Sequence, residues 1–151
     1  MNAPLIPGRE AAGLHIGEPI APILQEMGDV FSAVDNTNPY AETHMHRFNS
    51  VMVDLCEEDG VITQIMVHDG YRGTYAGVIG LGSTLFDVER FIGPWFEDEV
   101  DEFEIQGIAG MCFEIENYLQ LADSDPAFRY APILHICIFY VPSKHESRTI
   151  P

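Results

Sequence analysis

Basic side chains are scarce in this chain: Lys and Arg number 7 against 24 Asp and Glu in 151 residues, a formal charge of −17. A surface of that sign repels the phosphates of nucleic acid and of anionic membranes, so neither is expected as a partner. Cysteine is sparse too. Cys56, Cys112 and Cys137 are an odd number, widely spaced and each set in an apolar run, which points to buried free thiols rather than a disulfide framework or a zinc site. No apolar run approaches the roughly 18 residues of a membrane span. Residues 1–10 lack the basic start and unbroken apolar core of a signal peptide, which sets the expectation of a cytoplasmic protein.

The motifs of common chemistries are missing as well. Gly77, Gly80 and Gly82 precede a helix signal, but without the Lys of a phosphate loop or the spacing of a dinucleotide site. The three cysteines fall in strand-like runs, not in a sharp turn beside a His, as a nucleophile would. His44 and His46 flank Met45 and would share one side of an extended segment, a geometry that takes a metal if a third ligand such as His68 joins them. The plainer reading is two exposed loop histidines, and neither metal nor cofactor is expected. Paired carboxylates are common by chance among 24, and none stands in the opposed positions that a glycosidase needs. The chain is therefore expected not to be an enzyme.

What is present begins with a helix signal. In Leu81 to Pro94, Thr84 and Asp87 approximate a capping box, Leu85, Val88 and Ile92 form one apolar stripe, and Gly93-Pro94 stops the helix. The same pattern stands 65 residues earlier, where Gly17 and Gly28 match Gly82 and Gly93, and Ile20, Ile23 and Met27 match the stripe. The chain thus reads as one compact domain, 1–151, of α+β class, with two tandem units at about 12–75 and 76–142. Each unit is expected to be a short helix packed on a small antiparallel sheet.

In order, residues 1–13 read as a Pro/Gly-rich lead-in, Pro19 to Met27 as the first helix with an awkward Pro22, and Val30–Val34 as a short strand before the turn-rich Asp35–Pro39. His46–Cys56 and Val61–His68 read as two strands joined by a hairpin that closes on Asp59-Gly60. Gly107–Ile115 and Ile133–Val141 are further strands, with a loop from Glu116 to Ala131 between them. Alternation puts Val51, Val53, Leu55, Ile65, Val67, Phe113, Ile115, Ile136 and Ile138 under the helices. The opposite face would carry Asp54, Gln64, Met66, His68, Glu114, Glu116, His135 and Phe139, the composition of a surface that meets something.

The recurring unit, a Gly-x-(Ser/Thr)-x-x-x-Val helix ending in Gly and followed by antiparallel strands, resembles the modules of β-lactamase-inhibitory-protein-type proteins and of small outer-membrane assembly lipoproteins. The stretch from Ile65 through Gly73 to Ile79–Thr84 is similar to uncharacterised bacterial proteins associated with toxin immunity. The resemblance implies binding through an open sheet face, without catalysis. The lipoprotein branch would require a signal peptide and a lipidated Cys, and neither stands in this sequence.

Six of the eight residues from Glu97 to Glu104 are carboxylates: Glu97, Asp98, Glu99, Asp101, Glu102 and Glu104. Their spacing is not that of a calcium loop. As a solvated edge strand the run would block unwanted pairing, and as a docking surface it would draw in a basic cleft. Trp95 beside it reads as an aromatic anchor or as core. The function expected from these features is that of a non-enzymatic bacterial binding protein, in its sharpest form a cytoplasmic immunity protein. It would cover the active site of a basic toxin or effector domain with Trp95, the acidic run, Asp54, His68, Glu114 and Phe139. The alternative is a small-ligand or metal-binding module.

Overall fold

The computed structural model describes residues 2–34, 45–118 and 125–142. His44 and the turn-rich Asp35–Pro39 lie outside them. Helix α1 spans Ile20–Met27 and α2 spans Leu85–Phe91. The second is the better capped: the Asp87 N–H donates to the Thr84 hydroxyl, and the Thr84 N–H donates to the Asp87 carboxylate. Such a cap is worth about 1 kcal/mol. In α1, Pro22 falls in the first turn, where its missing N–H would have no helical acceptor in any case.

The described residues hold ten strands: β1 (Glu10–Ala11), β2 (Leu14–His15), β3 (Ser32–Val34), β4 (Met45–Asn49), β5 (Val53–Glu58), β6 (Val61–Val67), β7 (Trp95–Glu97), β8 (Phe103–Ile105), β9 (Met111–Ile115) and β10 (Ile133–Phe139). The last eight form one antiparallel sheet in the order β3-β4-β5-β6-β10-β9-β8-β7. The α+β class stands. The sheet is a single eight-stranded layer, larger than the small sheets anticipated.

Its core face carries Leu55, Ile65, Val67, Phe113, Ile136 and Ile138, all fully buried. They join one cluster with Ile20 and Ile23 of α1, Leu85 and Val88 of α2, and Phe128 of a third helix, α3 (Asp125–Tyr130). That helix lies where a loop was expected from Glu116 to Ala131.

Other elements depart from the sequence reading for local reasons. The strand read across His46–Cys56 breaks at Ser50, whose hydroxyl donates to the Val53 carbonyl and accepts from the Val53 N–H. Val51, expected in the core, is consequently 76% exposed at that turn. The strand expected from Gly107 begins only at Met111, because Gly107 and Gly110 both take positive φ.

The lead-in is part of the core, with Leu5 and Ala11 buried. It is held by the Tyr71 hydroxyl, which donates to the Ala3 carbonyl and accepts from the Ala12 N–H. Gly8 crosses Gly110 so closely that a Cβ on Gly110 would sit 2.4 Å from the Gly8 nitrogen. The Asp59-Gly60 hairpin is as anticipated: both residues have positive φ, and the Gly60 N–H donates to Glu57.

Candidate functional site: the open face of the sheet

Strand alternation that buries Phe113 and Ile136 turns their neighbours to the opposite face, on which no described helix packs. Arg47, Asp54, Cys56, Gln64, Met66, Cys112, Glu114, His135, Cys137 and Phe139 all point this way by register. Two polar groups organise its centre. Asp54 sits 3.1 Å from an Arg47 guanidinium nitrogen and 3.1 Å from His68 Nε2, while Asp69 lies 3.0 Å from His68 Nδ1. Beside it, His135 Nδ1 is 2.5 Å from Glu114, and the two imidazoles meet edge to face at 5.7 Å.

The acidic run is a hairpin, not a single edge strand. Its first residue closes β7, the next five make the turn, and Phe103 opens β8. The Asp98 carboxylate holds the turn by accepting from the N–H groups of Val100 and Glu102. Asp101 takes positive φ at the tip, next to exposed Glu99.

The two faces then divide the carboxylates. Glu102 and Glu104 share the open face with Glu114, since they alternate with Phe103 and Ile105, which are core. Glu97 and Trp95 turn to the helix side. There the Tyr118 hydroxyl donates to Glu97 at 2.8 Å, and the Trp95 indole N–H donates to Glu89 at 2.7 Å, an oxygen that also accepts from Arg129. Trp95 packs on Phe103, so it anchors the core and does not join Asp54, His68, Glu114 and Phe139.

Burial, reinforced by neighbouring carboxylates, shifts the titration of two acids on this face. Burial raises Glu102 above the usual carboxyl range; the Cys112 thiol that donates to it works the other way, and the Glu114 and Asp98 charges add to the rise. Glu104 is pushed up to about 6, first by burial, then by its hydrogen bond with Asp98 and the charges of Asp98 and Glu102. On the helix side Tyr118 is pushed up to about 12 by its bond to Glu97.

The sign for stability follows. Between the ordinary carboxyl value of 4.5 and about 6, the folded chain holds a proton that the unfolded chain has released, so Glu104 makes stability fall as pH rises through that window. Glu104→Gln is expected to raise the thermal midpoint by about 1–2 °C at pH 7, with no gain at pH 4, in paired calorimetric scans. An equal gain at both pH values would remove the carboxylate as the cause.

Arg47 and Cys112 are site residues that the sequence reading missed. In one continuous strand Arg47 and Asp54 would point to opposite faces, and only the turn at Ser50 brings them together. Among the described residues no group of three His, Cys, Asp or Glu is placed to hold a metal ion. His46 lies 3.9 Å from Glu57 and is exposed. A cleft of about 200 Å³ opens on this face, lined by Met45, Arg47, Asp54, Cys56, Gln64 and Met66.

An eight-stranded antiparallel sheet with its helices on one side defines the architecture, and a solved structure shares it. The chain is similar to the crystal structure of the uncharacterized protein YfeY from Escherichia coli, with a TM-score of 0.62 and 14% identity over 92% of this chain and 99% of that one. The likeness is one of fold. No protein-family model matches the sequence, and no curated protein does.

Proposed function

We propose that this is a non-enzymatic binding protein whose open sheet face captures a basic protein domain. In its sharpest form it is a bacterial immunity protein, acting in the cytoplasm, that covers the active site of a cationic toxin or effector. The observation that carries the reading is the open face itself: Asp54, Glu102, Glu104 and Glu114 share it with His68 and Phe139, with no described helix over them. Carboxylates on one face add their potentials, which speeds encounter with a cation-rich cleft. The cleft beside Arg47 is smaller than the roughly 300–1,000 Å³ of small-molecule sites and suits one inserted side chain better than a cofactor.

The topology also supports a duplicated origin. One helix followed by four strands, α1 with β3 to β6, is succeeded by α2 with β7 to β10, and β6 pairs with β10 at the middle of the sheet.

The test is affinity purification of the tagged protein from its native cells, with mass spectrometry of whatever is retained. The expected result is a basic protein in stoichiometric amount, recovered at low salt in clearly smaller amount when Glu104 and Glu114 are both changed to Lys. Undiminished recovery of the same protein by that double variant would overturn the reading.

A further inference from the structure

The register of β9 against β10 brings two of the three cysteines face to face. Cys112 and Cys137 are directly opposed Cα partners on the open face, although 25 residues of sequence separate them. Two positions along, the Phe139 N–H donates to the Gly110 carbonyl at 3.1 Å, which sets the pair in the hydrogen-bonded phase of the ladder. Opposed Cα atoms there lie about 5.5 Å apart, inside the roughly 4.4–6.8 Å that disulfides span.

We propose that Cys112 and Cys137 are a modification site, a dithiol that closes to a cross-strand disulfide. Cys56 is excluded from the bridge by the sheet order. It stands on β5, with β6 between it and β10, so its backbone is two strand spacings away, about 9.5 Å, beyond the roughly 7 Å limit.

The surroundings set the rate. Cys112 and Cys137 are only 5% and 4% exposed, so either sulfur meets an oxidant rarely and closure is slow. The Cys112 thiol donates to Glu102 at 2.7 Å, and Gln64 donates to the Cys137 sulfur at 2.7 Å. A thiol facing a carboxylate keeps its proton, so closure is slow at neutral pH and faster in alkali.

The oxidant class is a small disulfide such as glutathione disulfide. One thiol loses its proton, and the thiolate attacks a glutathione sulfur and expels glutathione thiolate. The second thiolate then attacks the mixed disulfide and expels the other. Two protein thiols are oxidised, one glutathione disulfide is reduced to two glutathiones, and both protons pass to the thiolates released. Closure removes the S–H that donates to Glu102, and this chemistry stands whether or not the face binds a partner.

The experiment incubates the folded wild-type protein with glutathione disulfide over pH 7–8.5, quenches in acid, and alkylates under denaturing conditions before intact-mass and non-reducing peptide analysis. The expected result is a monomer that carries one alkyl group, at Cys56, instead of three and is otherwise about 2 Da lighter, with a linked pair of peptides holding Cys112 and Cys137. The rate should rise about tenfold per pH unit, and Cys56→Ser should lose the same two thiols. Three thiols persisting at pH 8.5, a stable glutathione adduct on Cys112 or Cys137, or a bridge that includes Cys56 would overturn the proposal.

Discussion

Phe103→Ala is expected to destabilise the protein by about 3–5 kcal/mol in urea denaturation, the largest effect of any single truncation considered. Phe103 is fully buried on β8. Its ring meets Trp95 at 5.4 Å, Phe128 of α3 at 5.5 Å and Tyr118 at 6.1 Å. One side chain thus ties the acidic hairpin, the end of the sheet and the third helix to a common core. Neighbouring rings cannot close around the space that its loss would leave, since each is fixed from its own strand, helix or turn. Against a total stability of roughly 5–15 kcal/mol for a domain, the loss is severe. A change below about 1 kcal/mol would mean that the hairpin is not anchored through this ring.

The second large effect concerns association. Changing Glu104 and Glu114 together to Lys reverses two charges on the open face while leaving the core side untouched. Association with the proposed basic partner is then expected to slow by about tenfold or more at low salt, because the field that would steer encounter is weakened on that face. The deficit should shrink as salt is raised, since exposed charges are screened over about 8 Å at 0.15 M. A matched reversal of Glu26 and Asp29, both exposed at the end of α1, changes net charge equally and should slow association far less. Stopped-flow or surface-binding kinetics across salt concentrations separate the two. Equal slowing by both variants would reduce the effect to total charge and remove the face from the account.

Much of the scaffold could be read from residues alone. The capped helix at Thr84, the Asp59-Gly60 hairpin and the alternation of Leu55, Ile65, Val67, Phe113 and Ile136 are short-range signals that depend on a residue and its near neighbours. What escaped depends on contacts far apart in sequence. Asn49-Ser50 is a weak turn signal without Gly or Pro, and the reversal is closed by the Ser50 N–H and hydroxyl bridging to Val53. Missing it hid the approach of Arg47 to Asp54.

The acidic run posed the same difficulty on a smaller scale. Its hairpin sends Glu97 to the helix side and Glu102 to the open face, and a string of carboxylates has no periodic apolar residue to show where it folds. The convergence of Cys112 on Cys137 needed the β9–β10 register. Burial of the lead-in was not legible, because residues 1–13 are broken by Pro and Gly and carry no periodic apolar pattern, yet Leu5 and Ala11 join the core with Tyr71.

The proposed recognition runs through the uncovered face of the sheet. Carboxyl labelling of the free protein and of its partner complex, read residue by residue in the mass spectrometer, tests it most directly. The account predicts that Asp54, Glu102, Glu104 and Glu114 become protected in the complex while Glu26 and Glu89 label as before. Protection confined to Glu26, Glu89 and the helix side, with Glu104 and Glu114 still fully labelled, would contradict it.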